Sequence, residues 1–133
     1  MARTFARRAL PVVAGFFVAC GLLQVFLAGL GVFDNPASFL THRDFGYMLE
    51  LLPVLLLVLG LIARLGRRMA LLAAGIFGLF LLQSVFVGLR ETAPEAAALH
   101  PVNGFLITLL AIILARDAWV SRRAAAETTN PAV

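Results

Sequence analysis

The two histidines are the residues of this sequence best suited to bind a metal, and they occupy matched places in an internal repeat. His42 lies in the segment PASFLTHRDFG and His100 in the segment PEAAALHPVNG, so both segments read Pro-x5-His-x3-Gly. Upstream of each stands Leu-Leu-Gln-x4-Gly-Leu, which contains Gln24 in the first half and Gln83 in the second. These are the only two glutamines and the only two histidines of the chain. The pattern predicts a duplicated helix–loop–helix unit.

The two histidines predict a heme site better than a bare metal site. Neutral imidazole is a good ligand for iron, zinc, copper or nickel. A zinc site uses three or four protein ligands, however, and no cluster of Cys, Asp or Glu in the sequence completes such a set. The iron of a porphyrin needs only two axial ligands, because the macrocycle supplies the other four. We therefore expect one b-type heme between His42 and His100, with polar residues at a membrane surface as the alternative interpretation.

Four glycines flank the histidines at helical spacing. Gly46 and Gly104 each lie four residues after a histidine, on the same helical face, where a missing side chain would leave room for a flat macrocycle. Gly29 and Gly88 stand five residues after the glutamines and could leave room in the same way. The alternative is that all four are packing contacts between helices.

Two arginines and the two glutamines complete the predicted heme site. Arg43 and Arg90 lie near the same ends of their helices as the histidines, where they could pair with the propionate groups of a heme. Gln24 and Gln83 could hydrogen-bond each other across the repeat axis. The alternative interpretations are that the arginines pair with lipid phosphates or with acidic neighbours, and that the glutamines simply link helices.

Four apolar runs must position these residues. The chain has 133 residues, of which 62% are hydrophobic. A helix needs roughly 20 apolar residues to cross a hydrocarbon core of about 30 Å. The sequence therefore predicts an all-α integral membrane protein, a bundle of four transmembrane helices whose backbone groups are all internally bonded. The apolar runs cover residues 10–33, 45–63, 69–89 and 102–115.

The repeat divides the predicted domain into two helix hairpins. The bundle covers residues 1–120, with repeat halves at about 9–65 and 69–120, and residues 121–133 form a disordered tail. Each half runs out and back, so the repeats are parallel and a twofold pseudo-axis along the membrane normal relates helix 2 to helix 4.

Three prolines affect the predicted helices. Pro11 is tolerated at the start of helix 1, Pro53 predicts a kink in helix 2, and Pro101 marks either a kink or the junction of a short surface helix with helix 4.

The arginines predict the orientation in the membrane. All eleven basic residues are arginines, and nine of them cluster before helix 1, between helices 2 and 3, and after helix 4. This positive-inside bias predicts that both termini are cytoplasmic and that both histidines lie toward the outer side. It argues for membrane lipid and against nucleic acid as the partner of the positive charge. The absence of lysine in a chain rich in Ala and Leu suggests a bacterial cytoplasmic membrane.

Two further residues, Glu50 and Cys20, are candidates for chemistry. Glu50 stands in the apolar part of helix 2, and an intramembrane carboxylate is a functional candidate. It could be a proton site, or it could bond Tyr47 or another helix, but the equivalent residue of the second half is Thr108. Cys20 is interpreted as a small packing residue, with a lipoprotein cleavage site as the less favoured alternative.

The order of these motifs resembles one four-helix half of heme A synthase. Thr41-His42-Arg43 is similar to the His-Arg motif that opens helix 2 of that family, and Leu82-Gln83 with Gly88 and then His100 is similar to its helix 3 and helix 4 motifs. The resemblance implies that His42 and His100 are heme ligands. The sequence also resembles small uncharacterised four-helix membrane proteins of actinobacteria.

Departures from that family favour a heme protein without oxidative activity. The chain has one bundle where the family has two, and it lacks the family's outer loop rich in Cys and Pro. Phe39 stands where the family has a glutamate, three residues before the first histidine. We therefore expect electron transfer or heme handling, with a quinone, a redox protein or a second copy as partner. The alternative function is a cofactor-free accessory or assembly subunit of a larger membrane complex.

Overall fold

Six helices form a bundle in which four long segments run alongside one another. The computed structural model describes the backbone of residues 1–129 and the side chains of residues 1–125, and no strand occurs within these limits. Four segments are long and apolar enough to cross a membrane: Ala2–Phe33, Ser38–Ala63, Arg67–Gly88 and Pro94–Ala125. The helices are α1 (Ala2–Phe33), α2 (Ser38–Met48), α3 (Leu51–Ala63), α4 (Arg67–Gly88), α5 (Pro94–Ala97) and α6 (His100–Thr129).

The long segments are arranged as a ring of four. α1 packs against α6 on one side and against α2 and α3 on the other, and α4 packs between α3 and α6. Each long segment thus has two main neighbours. The segment made of α2 and α3 lies opposite α6, so the two histidine-bearing segments face each other across the bundle.

The apolar core fills one half of the bundle. On α1 the buried residues recur every three or four positions, the spacing of a single helical stripe. Several of them are alanines, which let neighbouring helices approach closely. The fully or nearly buried apolar residues of the long helices are Ala6, Leu10, Ala14, Phe17, Leu56, Leu59, Ala63, Met69, Ala73, Ile76, Ile107, Ala111, Leu114 and Ala118.

Arginines tie several elements together at the core end of the bundle. Arg7 Nε donates to the carbonyl of Ala63 at 3.0 Å, which satisfies a carbonyl in the last turn of α3. Arg68 forms an ion pair with Asp117 at 2.9 Å, linking the start of α4 to α6. The amino terminus, the α3–α4 turn and the second half of α6 therefore meet at this end, which we call the arginine end. The histidines lie at the opposite end.

The predicted kink in the second segment is a short break between α2 and α3. Proline lacks an N–H, and its ring clashes with the carbonyl four residues earlier, which for Pro53 is the carbonyl of Leu49. That carbonyl instead accepts the N–H of Leu52 at 2.9 Å, and the N–H of Glu50 donates to Tyr47 at 3.2 Å. This tighter turn separates α2, which carries His42, from α3, which contributes to the apolar core.

Two predicted helix ends differ from the structure, and one of the two interpretations of Pro101 is confirmed. α1 begins at Ala2, so Pro11 lies inside a continuous helix rather than at its start. α5 is a separate turn, and α6 begins at His100, so Pro101 marks the junction of a short helix with the long one.

The last helix also continues beyond its predicted end near Val120, to Thr129. The Ser121 hydroxyl bonds the Asp117 carbonyl at 2.9 Å, and the guanidinium of Arg122 lies 5.2 Å from the centre of the Trp119 ring. The contact between Arg122 and Trp119, three residues apart on one helical face, favours continuation of the helix. The segment predicted to be a disordered tail is thus helical as far as residue 129. Residues 130–133 lie outside the described part of the chain.

Candidate functional site

The two histidine rings lie next to each other between opposite segments of the bundle. The ring centres of His42, in α2, and His100, at the start of α6, are 6.2 Å apart, and the ring planes are inclined by 73°. A linear nitrogen–metal–nitrogen unit with bonds of about 2.0–2.1 Å places two imidazole centres roughly 6 Å apart. The separation fits two imidazoles that share one metal ion, and it is equally that of an ordinary edge-on contact between two rings.

The backbone of α1 holds His42. His42 Nδ1 lies 3.0 Å from the carbonyl oxygen of Gln24. A carbonyl can only accept, so Nδ1 carries the hydrogen and Nε2 of the neutral ring carries the lone pair. The ring of Phe39 meets His42 edge-on at 6.5 Å between centres, and it also packs directly on Gly31 of α1. His42 is thus oriented from two sides, with Nε2 as the nitrogen able to bind a metal.

A network of side-chain amides holds His100. Asn103 Nδ2 donates to the carbonyl of Leu79 at 2.8 Å and to Gln83 Oε1 at 2.5 Å. Because Leu79 offers only an acceptor, the Asn103 amide nitrogen must face it, and the Gln83 oxygen must then face Asn103. The Gln83 Nε2 therefore points to His100 Nε2, at 3.2 Å, and donates to it.

This network fixes the tautomer of His100 and leaves two buried polar atoms unpaired. Since His100 Nε2 accepts from Gln83, the hydrogen of the neutral ring is on Nδ1. His100 Nδ1 and Gln24 Oε1 are both buried and have no hydrogen-bond partner among the described residues. A buried polar group without a partner is costly and calls for an explanation such as a bound ligand or water. One donor and one acceptor are thus available beside the histidine pair.

The glutamines occupy the places next to two of the predicted glycines. A Cβ atom on Gly46 would lie 2.8 Å from Gln24 Nε2, and one on Gly104 would lie 3.3 Å from Gln83 Nε2. Each repeat half thus makes the same Gln–Gly contact. The predicted hydrogen bond between the two glutamines is wrong, because Gln83 bonds Asn103 and His100 instead.

The other two predicted glycines have open space beside them. No atom of the described chain lies within 4 Å of a Cβ built on Gly29 or on Gly88. Neither residue is therefore needed for close packing of the helices. Gly88 is exposed, so the open space beside it is the outer surface of the bundle, whereas Gly29 is half-buried.

The two predicted arginines lie at the solvent-exposed end of the site and have acidic neighbours. Arg43 pairs with Asp44 at 2.7 Å, and Arg90 pairs with Glu91 at 3.4 Å. Each pair joins adjacent residues and is well exposed, so it contributes little to stability. Both guanidinium groups can therefore exchange partners at small cost.

The remaining sequence candidates lie outside this cluster. Glu50 is exposed on the outer face of the bundle, between α2 and α3. Thr108, its equivalent, donates to the Gly104 carbonyl one turn earlier in α6 at 2.9 Å. Cys20 is a buried free thiol, as the packing interpretation predicts. Within the described residues, no three His, Cys, Asp or Glu side chains come together as a metal site.

Asn103 is the functional residue that sequence reasoning missed. Asn103 is 4% exposed, and it is the only buried polar residue among those that the structure describes. The repeat concealed it, because the equivalent residue of the first half is Phe45 and the motif treats that position as variable. An asparagine in an apolar helix is itself a signal, since polar groups within such helices usually have a specific partner.

Comparisons with known proteins place the chain in a family without assigning a role to it. No curated protein and no solved structure matches the chain, so the resemblance to heme A synthase rests on the motifs alone. One family model matches residues 24–93, which include Gln24, His42 and Gln83 and stop short of His100. This match fits, loosely, the resemblance to small uncharacterised membrane proteins. Because it covers just over half of the sequence, the chain belongs to a family of unknown function (DUF6220).

Proposed function

We propose that this chain is an integral membrane protein that holds one b-type heme between His42 and His100 and uses it for electron transfer or heme handling. The observation that carries the proposal is the 6.2 Å separation of the two ring centres, contributed by opposite segments of the bundle. Two imidazoles are a sufficient protein ligand set for a heme iron. A four-helix bundle is a common host for a cofactor held between facing helices.

Membrane insertion is supported by the surface of the bundle. All four long segments combine sufficient length with a mean hydropathy of 2.0–2.3, and large apolar side chains such as Phe16, Phe26 and Phe105 are exposed along them. An apolar surface of this extent is typical of contact with lipid. The arginine end has the charge of a cytoplasmic surface. We therefore place both termini in the cytoplasm and the histidines toward the outer side of a bacterial membrane.

An internal duplication is supported by equivalent contacts in the two halves. Gln24 lies against Gly46, and Gln83 lies against Gly104. In the duplication that we propose, a twofold pseudo-axis along the bundle would relate these pairs and carry α2 onto the start of α6. Such an axis would place two equivalent histidines on opposite sides of one cofactor.

A heme between the rings requires a rearrangement, because Gln83 bonds His100 Nε2 and the glutamine side chains fill the spaces beside Gly46 and Gly104. The donor atoms are suitable, because His42 Nε2 carries a lone pair and its Nδ1–H is held by a backbone carbonyl, the usual support of a metal-binding histidine. A flat macrocycle between the rings requires Gln24 and Gln83 to leave the spaces beside Gly46 and Gly104. Half-buried Gly29 has open space beside it. Arg43 and Arg90 can turn from their acidic neighbours to the propionates.

The protein's own residues would bind and orient this group and shield it from water. A heme held by His42 and His100 would supply reversible one-electron transfer. His42 and His100 would hold it, and the helices around them would exclude water from its faces. A site at the outer end of the bundle suits exchange with a membrane quinone or with a redox protein at the surface.

Absorption spectroscopy of the purified protein tests this proposal. The protein is expressed with added heme, purified in detergent, and its spectra are recorded before and after reduction with dithionite. We expect a sharp α-band and a red-shifted Soret band on reduction, as a low-spin b-type heme gives. His42→Ala and His100→Ala should each lower the heme content, whereas Thr108→Val, a control in α6, should not. A colourless wild-type protein would contradict the proposal, as would full heme content in both histidine variants.

The second candidate function is a cofactor-free accessory subunit of a larger membrane complex. It is favoured by the closure of the site, because Gln24 and Gln83 fill the spaces beside Gly46 and Gly104 and Gln83 is bonded at both ends of its amide. In this case the polar cluster specifies how the helices pack. A colourless protein that co-purifies in fixed stoichiometry with a membrane complex would support this function.

A further inference from the structure

We propose that the arginine end of the bundle has a binding site for an anionic phospholipid with two phosphate groups, of the diphosphatidylglycerol class. The headgroup would lie where α1, α3 and α4 meet, with Arg3, Arg64 and Arg67 as the residues that bind its phosphates. The inference rests on the proposed membrane insertion of the chain and is independent of the heme.

Two cavities with common lining residues form a groove at this place, which we call the arginine groove. The first cavity has a volume of about 440 Å³ and is lined by Ala2, Arg3, Leu61, Ile62 and Arg64. The second has a volume of about 310 Å³ and is lined by Gly60, Leu61, Arg64, Gly66, Arg67 and Ala70. Leu61 and Arg64 belong to both. The first cavity therefore has Arg3 and Arg64 as its charged residues, and the second has Arg64 and Arg67.

The arginines of the groove have no acidic partner among the described residues. At this end the acidic side chain within residues 1–125 is Asp117, and Arg68 pairs with it at 2.9 Å. Arg3 Nη2 donates to the carbonyl of Arg64 at 3.5 Å, which holds Arg3 beside the α3–α4 turn and leaves most of its N–H groups free. The groove thus combines three positive charges without a negative one, and an anion would relieve their mutual repulsion.

The positions of these arginines match the level of lipid phosphates. Arg3 lies in the first turn of α1, Arg64 directly follows α3, and Arg67 begins α4. The ends of helices that cross the hydrocarbon core lie at the headgroups in an inserted bundle. A guanidinium group can bind a phosphate through two parallel N–H···O bonds, and basic pockets between membrane helices are typical sites for anionic headgroups.

The apolar residues of the groove favour a lipid over free phosphate. Leu61 and Ile62 stand in the last turn of α3 and are 57% and 41% exposed. They lie two and three residues before Arg64, on the side of the hydrocarbon core, where acyl chains attached to the headgroup would cover them. Because each cavity has two arginines and Arg64 is shared, one phosphate fits each cavity. A lipid with a single phosphate would leave one cavity unfilled.

The experiment measures thermal unfolding of the delipidated protein in a neutral detergent as lipid is added. The probes are tetraoleoyl diphosphatidylglycerol, dioleoyl phosphatidylglycerol, dioleoyl phosphatidylcholine and inorganic phosphate. We expect diphosphatidylglycerol to raise the unfolding temperature with the highest apparent affinity, and phosphatidylglycerol to bind about five-fold more weakly, the contribution of one arginine near a membrane surface. Phosphatidylcholine and inorganic phosphate should have no effect at the same concentrations.

Substitutions of single arginines identify the groove as the site. Arg64→Asn should weaken binding of diphosphatidylglycerol about ten-fold or more, because Arg64 lines both cavities. Asparagine tolerates the left-handed backbone at this position, where φ is 49°. Arg3→Gln and Arg67→Gln should each weaken binding about five-fold, and they replace Arg64→Asn if that variant does not fold. Arg8→Gln is the matched control, because Arg8 is exposed on α1 at the same end but lines neither cavity. It should bind within about two-fold of the wild type.

Three results would overturn the inference. Equal weakening by Arg8→Gln and Arg64→Asn would show a general attraction of the arginine end for anionic lipid. Equal affinities for the two anionic phospholipids would exclude a site for two phosphates, and an equal effect of inorganic phosphate would exclude a lipid site. None of these results bears on the heme, and a colourless protein with the expected lipid binding would contradict the heme proposal and support this one.

Discussion

Two glycines near the end of α1, two residues apart, have very different surroundings. A Cβ on Gly31 would lie 2.7 Å from the Phe39 ring, whereas no atom lies within 4 Å of a Cβ on Gly29. We expect Gly31→Ala to lower the free energy of unfolding by about 1–3 kcal/mol, the usual cost of overpacking a close contact. Gly29→Ala should be neutral or stabilising by up to about 1 kcal/mol, because alanine favours a helix. Thermal unfolding in the same detergent measures both.

The Gly31 prediction also concerns His42, because the same Phe39 ring meets His42 edge-on. A displaced Phe39 should loosen the orientation of that histidine, so Gly31→Ala should also lower heme content. Equal stability of the two alanine variants would contradict the close contact.

At the residue scale, the repeat predicted which side chains come together but not how they bond. It placed His42 and His100 at equivalent positions, and the structure brings their rings together. It also implied equivalent bonding, whereas one histidine meets a backbone carbonyl and the other meets a side-chain amide. The cause is Asn103, at a position where the first half has Phe45. A repeat pattern records what two halves share and therefore cannot reveal the residue that makes them differ.

At the element scale, Pro53 controls where the second segment breaks. Without the proline, the carbonyl of Leu49 could accept a regular helical N–H from residue 53. We expect Pro53→Ala to join α2 and α3 into one helix and to slow hydrogen–deuterium exchange of the backbone over residues 47–53. Straightening should also shift His42 relative to α6, so we expect lower heme content.

Pro11→Ala is the matched control for this variant. Pro11 is also buried and also lies within a long segment, but α1 continues through it without a break. Its replacement should therefore leave both exchange over residues 47–53 and heme content unchanged. If Pro53→Ala leaves that exchange as fast as in the wild type, the break has a cause other than the proline.

The existence of the long helices was predictable from the sequence, and some of their ends were not. Apolar runs of sufficient length indicate four segments, and the structure contains four. The start of α1 at Ala2 and the extension of α6 to Thr129 fall in arginine-rich stretches with little hydropathy signal. Those stretches are held by tertiary and local contacts, such as that of Arg7 with the Ala63 carbonyl, which composition does not show.

At the scale of the whole molecule, the two ends of the bundle differ in character. The arginine end contains the apolar core and the contacts that join its elements, including the Arg68–Asp117 ion pair. The histidine end has glycines with open space, two unpaired buried polar atoms and a broken helix. The arginine end is therefore the more stably packed end, and the histidine end has the looser packing that is common at binding sites. The ring order of the helices depends on long-range packing and could not be read from the sequence.

The same division predicts the orientation of the protein in a membrane. Nine of the eleven arginines lie in the first turns of α1, near the α3–α4 turn or in the second half of α6, and Arg43 and Arg90 lie at the histidine end. Basic residues flanking apolar helices are retained on the cytoplasmic side. We therefore expect alkaline phosphatase, which is active only outside the cytoplasm, to be inactive when fused after residue 125 and active when fused after residue 35. A green fluorescent protein fused after residue 125 should fluoresce, which controls for expression of the inactive fusion. The opposite pattern would place the histidines on the cytoplasmic side, so the heme would exchange electrons with cytoplasmic rather than external partners.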